Sequence, residues 1–475
     1  MTVCSVLGHF MCKGTGRVFL AGCLVFTTTA LAYGAETQKP PEETPVVSDM
    51  RGQAVNLVDV YTLAEANDPT LRAVEFKKLA IDEGHRQAVA ELLPTVSGTA
   101  GYSYIFQDIK QSDNDVYEAG EEDYGTFTYG ARLTQPVFRW DLYVGLNQAE
   151  TKKLLAAADY VLAQQDLMVR TAETYLNALS AKDQLRQALI EQKAVTKHLE
   201  LAKDQLDMGI SPITDYYDAM ARAATNQAVV IEAENIYSDA LQALMELTGK
   251  QIDTLVPLLD TLPLTSPDPD NVGSWIGGAL ENNPGVEMKR RAVEIAEQEV
   301  SRQRAAFYPY ADLVGEYENE DADGSLYGGG SEVESFEVSV QLTIPIYEGG
   351  MRFSRMEEAT YTMNSARQEL IKEQREVERG TRSAFLGVQT ALSQIEALKQ
   401  SVRSNELALD AKQEGFLSGL QSTLNVLDAE RDLSLVNINY AKARYRYVLN
   451  TLRLKQATGS LSVDDVTDLG QWFGE

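Results

Sequence analysis

The sequence predicts a mainly α fold with β, built as a duplicated helix–hairpin–long helical hairpin unit whose strands close a barrel shared between several copies of the chain. Three observations predict it: an internal repeat of about half the chain, four runs of strand length with alternating polarity, and two long stretches without proline.

The repeat is carried by ordered landmarks. Asn67-Asp68-Pro69 and Asn282-Asn283-Pro284 each interrupt a helical pattern, with prolines 215 positions apart. Ala90-Glu91-Leu92-Leu93-Pro94 and Ala305-Ala306-Phe307-Tyr308-Pro309 keep the same spacing. Leu133-Thr134-Gln135-Pro136-Val137-Phe138 matches Leu342-Thr343-Ile344-Pro345-Ile346-Tyr347 at 209, and Gly209 and Asp218 match Gly419 and Asp428 at 210. The change of spacing falls in a polar loop, where length differences are tolerated. The units read as a leader over 1–32, a first repeat over 33–265 with a β-hairpin at 95–137 and a helical hairpin at 138–250, a second repeat over 266–463 with corresponding hairpins at 310–346 and 347–457, and a tail over 464–475.

The strands alternate with period two. Val96, Gly98, Ala100, Tyr102, Tyr104 and Phe106 share one face; Thr95, Ser97, Thr99, Gly101 and Ser103 share the other. Phe127, Tyr129, Ala131 and Leu133 alternate with polar residues, as do Phe336, Val338, Val340, Leu342 and Ile344. The run from Ala311 to Glu318 is weaker, because Asp312, Glu316 and Glu318 are charged. Runs of about 10 residues with an apolar, aromatic face and a small, polar face fit strands between lipid and water. Four strands in two distant hairpins cannot close a barrel alone. The hairpin loops are acidic: Asp108, Asp113, Asp115, Glu118, Glu121, Glu122 and Asp123 in one, Glu320, Asp321, Asp323 and Glu332 in the other, which also carries Gly328-Gly329-Gly330. Their spacing fits no calcium loop, and they read as solvated outward loops.

From Asp141 to Met208 there is no proline, which allows roughly 100 Å of continuous helix. Arg352 to Leu417 is similar. Leu155, Leu162, Val169 and Leu176 recur every seven residues, the spacing of a coiled-coil seam.

Composition narrows the function. The chain of 475 residues is 44% hydrophobic and 24% charged, as a folded protein is, and its formal charge is −28. That surface repels nucleic acid, whose binding needs clustered Lys and Arg. Lys13 and Arg17, the apolar run from Val18 to Leu31 and the small residues of Ala30-Leu31-Ala32 predict a cleaved signal peptide, with Met11 as an alternative start. Leu20-Ala21-Gly22-Cys23 matches a lipidation box, but the apolar run continues past it. The three cysteines, Cys4, Cys12 and Cys23, all lie in the leader, so the remainder has no disulfide or thiolate site. No later run is long and apolar enough for a spanning helix, so entry into a membrane falls to strands. His85 and His198 lie in charge-rich helical stretches and read as solvated, and no metal spacing or phosphate loop appears. The reading is a non-enzyme without cofactor or metal. An exported coiled-coil structural or adhesive surface protein is the alternative, but it leaves the lipid-like strand faces unexplained.

At this point the chain resembles the TolC-like family of outer-membrane efflux and secretion channels, from about Leu57 to Asp465. The resemblance rests on Leu342-Thr343-Ile344-Pro345-Ile346-Tyr347-Glu348-Gly349-Gly350, on Asn425-Val426-Leu427-Asp428-Ala429-Glu430, and on Leu454-Lys455-Gln456-Ala457-Thr458-Gly459-Ser460-Leu461. It implies a homotrimer with a shared transmembrane β-barrel in outer-membrane lipid and a periplasmic α-helical barrel. It also implies a periplasmic adaptor and an inner-membrane transporter, ABC or proton-driven, as partners for protein secretion or drug efflux. The absence of a convincing lipidation box and the Gly459-Ser460-Leu461 ending lean toward the secretion branch.

The resemblance places the periplasmic gate at the helical turns, with Thr214 and Asp215 in the first and Asn425 and Asp428 in the second. Gly209 and Gly419 are the turn residues, where positive φ is needed. The chain departs from the family at this point. A paired inward aspartate is Asn425, and the linking aromatic hydroxyl and arginine are replaced by Phe416 and Gln421; Tyr216, Tyr217 and Arg222 are candidate substitutes. The local alternative is helix initiation, with Ser211 as N-cap, Pro212 in the first turn and Asp215 at the positive helix end.

Overall fold

The computed structural model describes residues 54–111, 120–324 and 329–474. The signal-peptide reading with Lys13, Arg17 and Cys23, the loop acids Asp113, Asp115 and Glu118, and Gly328 lie outside the described residues.

The chain runs β1 (Ala54–Val55), α1 (Leu57–Asn67), α2 (Pro69–Ala90), β2 (Thr95–Ile109), β3 (Gly120–Phe138), α3 (Trp140–Asp207), α4 (Ile213–Thr248) and β4 (Thr254–Leu255). It repeats the pattern with α5 (Val272–Asn282), α6 (Pro284–Ala305), β5 (Tyr310–Ala322), β6 (Ser331–Thr343), α7 (Met351–Leu417) and α8 (Thr423–Ala457), and ends with α9 (Val463–Gly470). Among the described residues no helix is long and apolar enough to cross a membrane.

The repeated prolines stand where two helices meet. Asp68 caps α2 by accepting from the Leu71 amide (2.9 Å), and Pro69 follows it at the first helical position, where a missing N–H costs nothing. Asn283 caps α6 in the same way, accepting from the Gly285 and Val286 amides (2.8 and 3.2 Å). The two caps are held differently. Asp68 is buried and receives Arg170 of α3 at 2.9 Å, whereas the Asn283 amide donates to the Ala457 carbonyl at 2.9 Å.

The long helices α3 and α7 have 68 and 67 residues, and each is flanked by two shorter ones. Helix α3 packs against α2 and α4; α7 packs against α6 and α8. The main core lies near the middle of the long helices. Leu167, Ala172, Tyr175 and Leu179 of α3 and Phe385, Val388, Ala391 and Ile395 of α7 meet Leu57, Val60 and Tyr61 of α1, Leu244 of α4, and Tyr447, Val448 and Leu452 of α8. Of the heptad residues, Val169 and Leu176 belong to this core, while Leu155 and Leu162 are half-buried. The short parallel pair β1–β4 sits beside it, where the Tyr175 hydroxyl donates to the Val256 carbonyl at 2.8 Å.

The segment read as a tail is part of this core. Phe473 meets the Tyr175 ring edge-on at 5.3 Å, and Trp472 stacks on Tyr447 at 6.2 Å. Helix α8 ends in a Schellman turn at Gly459 (φ 70°), whose carbonyl accepts from Gln165 of α3. A Cβ at Gly459 would lie 2.3 Å from the Asn282 carbonyl oxygen, so only glycine fits there.

The other four strands form an antiparallel sheet in the order β2-β3-β5-β6. Its register explains the weaker strand. Val96, Leu133, Gly315 and Val338 lie across one row, and Tyr317 pairs with both Ala131 and Phe336. The apolar face therefore runs across all four strands in these rows, and it ends nearer the hairpin loops, where Asn319 and Asp321 of β5 pair with Glu334 and Glu332 of β6 on the same face. The β5 charges Asp312, Glu316, Glu318 and Glu320 fall on the opposite face, where Arg132 pairs with Glu316 at 2.9 Å and Arg139 holds Asp312 at 2.7 Å. Glu316 stands directly opposite Glu337, a like-charge pair that Arg132 offsets. Val96, Phe106, Phe336 and Val340 of the apolar face are each at least 70% exposed on the single chain.

Two outcomes follow from the caps and the core. Arg170→Met strands a buried carboxylate at Asp68 and lowers stability by about 3 kcal/mol, while Asp68→Asn costs clearly less, because Asn283 does the same work uncharged; thermal unfolding of the two variants measures the difference. Gly459→Ala forces the α8 end away from Asn282 and loses more stability than Gly209→Ala, whose Cβ meets nothing within 4 Å.

Candidate periplasmic gate

The two helical hairpins end in the same turn. Helix α3 stops at Met208, and Gly209 takes φ 72°. The Ile210 amide donates to the Gln205 carbonyl (2.9 Å) and the Gly209 amide to the Leu206 carbonyl (2.9 Å). This Schellman arrangement satisfies the last carbonyls of the helix. Helix α7 ends identically: Gly419 takes φ 72°, Leu420 donates to Gly415 (2.8 Å) and Gly419 to Phe416 (3.0 Å). Both glycines are needed for their backbone angle, since L residues are strained there.

The helices that follow start differently. Ser422 caps α8, accepting from the Asn425 amide at 3.4 Å. In α4 the N-cap is Pro212, one residue after the Ser211 expected from sequence, and it offers no side-chain cap. Ser211 instead donates its hydroxyl to Asp215 Oδ2 at 2.7 Å, and the Thr214 hydroxyl approaches Asp215 Oδ1 at 3.4 Å.

Of the sequence candidates, Thr214, Asp215 and Asn425 thus hold partners in their own turns; the Asn425 amide donates to Gln421 Oε1 at 2.6 Å. Asp428 behaves otherwise. Its Oδ1 accepts from both Nη1 and Nη2 of Arg222, each at 3.1 Å, which ties α8 to α4 across the two hairpins. Tyr216 and Tyr217 place their rings 5.7 Å apart, with Tyr217 largely exposed. Between the hairpins lies a cleft of about 310 Å³, lined by Asp215, Asp218 and Arg222 together with Phe416, Leu424 and Leu427. Phe416 and Arg222 therefore line the same cleft.

Next to Asp428 on α8, Glu430 is half-buried, and its Oε2 is enclosed without a hydrogen-bond partner among the described residues. Burial pushes its pKa up. A hydrogen bond from Gln413 pulls it down, Glu191 raises it further and Lys197 lowers it, with a net rise. The histidines read as solvated are both half-buried, and burial, then Lys197, lowers the pKa of His198. The sequence included Glu430 in a family motif but did not mark its burial, which depends on groups from α3 and α7 around it.

The family model described as outer membrane efflux protein matches residues 60–250 and 275–460, one match per repeat. The chain is 31% identical to the outer membrane protein TolC of Vibrio cholerae over 88% of this chain and 93% of that one. It is 28% identical to the proteases secretion protein PrtF of Dickeya chrysanthemi, over 89% and 92% of the two chains. In three dimensions it resembles the Campylobacter jejuni CmeC outer membrane channel with a TM-score of 0.76 at 18% identity, covering 87% of this chain and 89% of that one.

The two long hairpins, the four-stranded sheet and the duplicated family match define an outer-membrane channel subunit. The chain belongs to the outer membrane efflux protein family and lies in the outer membrane.

Glu430→Gln raises the thermal midpoint at neutral pH. The sign follows from linkage: a carboxyl whose folded pKa is raised stabilises the fold only while it is protonated, and that contribution is lost as pH rises through the folded pKa. The advantage of the glutamine therefore shrinks on acidification, and unfolding scans at several pH values measure it.

Proposed function

We propose that this chain acts as a homotrimer, each subunit giving β2, β3, β5 and β6 to one shared barrel and its helical hairpins to a tunnel through the periplasm. The channel is a passive conduit and catalyses nothing. Its turns, with Thr214, Asp215, Asn425 and Asp428, narrow the periplasmic end. A periplasmic adaptor and an inner-membrane transporter, ABC or proton-driven, open it and supply the energy for export of protein or drug cargo.

One observation carries this reading. The sheet has an apolar face that runs across four strands, yet β2 and β6 end it with unpaired edges. In lipid, unpaired backbone groups are costly, so the edges must pair with those of other copies. The adhesive-rod alternative gives that face nothing to contact.

The purified, detergent-solubilised protein is expected to have three times the subunit mass by light scattering and to form conducting pores in a planar lipid bilayer. A verified trimer that conducts no current overturns the channel reading. A monomer with a stable fold overturns the shared barrel.

A further inference from the structure

The tip cleft brings one arginine among several carboxylates. Asp215, Asp218 and Arg222 line it, and Asp428 meets Arg222 from α8. Asp215 is already engaged by Ser211, while Asp428 takes both terminal nitrogens of the guanidinium on a single oxygen. The pair is about one-third exposed on each side, so ions in the cleft feel it.

We propose that Arg222 determines the ion selectivity of the constriction by neutralising Asp428 within each subunit. This rests on the reading of the turns as the narrow end of the channel. A ring of like carboxylates around an axis attracts cations and resists joint ionisation. A guanidinium is a lasting positive charge, so it offsets the charge of its partner for as long as the two stay paired. Asp428 is then not a bare inward charge while α4 and α8 are together. It becomes one only when those helices part or when Arg222 is removed. The same ion pair joins the two hairpins, so the charge seen by a passing ion depends on how they pack.

The probe is magnesium ion, applied from the side of the helical turns to single channels in a planar bilayer, with each variant first verified as an assembled oligomer. Arg222→Gln is expected to raise the potassium-over-chloride permeability ratio and to strengthen magnesium block at least tenfold. Arg222→Lys keeps the charge and stays near the wild type. Arg222→Gln combined with Asp428→Asn loses the added block, whereas Arg222→Gln combined with Asp218→Asn keeps it. Wild-type-like block and selectivity in a conducting Arg222→Gln channel overturns the proposal. So does added block that disappears with Asp218→Asn and survives Asp428→Asn, because the charge released is then not that of Asp428. No conductance from the wild-type oligomer overturns the channel reading itself and this proposal with it.

Discussion

A β-sheet that crosses lipid must satisfy every backbone amide and carbonyl, and within one copy of this chain it cannot. Strands β2 and β6 each present an open edge, and the interior pairing β3–β5 is the seam where the two repeats meet. The rest of the molecule follows from that seam. It sets the end of β3 beside the start of β5, so α3, which leaves β3, packs along α6, which enters β5. The register sets Arg132 against Glu316 and sends Asp312 and Glu316 to the wet face, so the apolar face crosses all four strands in the rows of Gly315 and Tyr317.

Duplication supplied the framework, and divergence adjusted it. Asp68 and Asn283 occupy the same place and cap equivalent helices, yet one is a buried anion matched by Arg170 and the other a neutral amide turned to the end of α8. The two tight turns kept the same backbone at Gly209 and Gly419 but differ in side chains. Their hydrogen bonds are local, so either turn could change its surface without disturbing the helices it joins.

Much of this was legible in the sequence because it depends on near neighbours. Prolines and glycines mark helix boundaries through backbone angle alone, and alternation marks a strand with two unlike faces. Strand pairing between hairpins was not legible, because Leu133 and Gly315 meet only once both hairpins have formed. The ending was misread for a similar reason. Trp472 and Phe473 follow a short helix with few apolar residues, and only Tyr175 and Tyr447, far back in the chain, give them something to pack on. At the turns, motif matching found the carboxylates but not their engagement. Asp215 is held by a hydroxyl four residues away, while Asp428 is held by a side chain 206 positions away.

The open edges also bear on inheritance. A subunit whose β2 edge is spoiled, by a proline for instance, still carries an intact β6 edge and an intact helical half. It can therefore join normal subunits and leave the ring unclosed. In a cell making both versions, most rings would contain at least one faulty member, so such an allele is expected to be dominant over the normal gene, whereas a chain that fails to fold at all would be recessive.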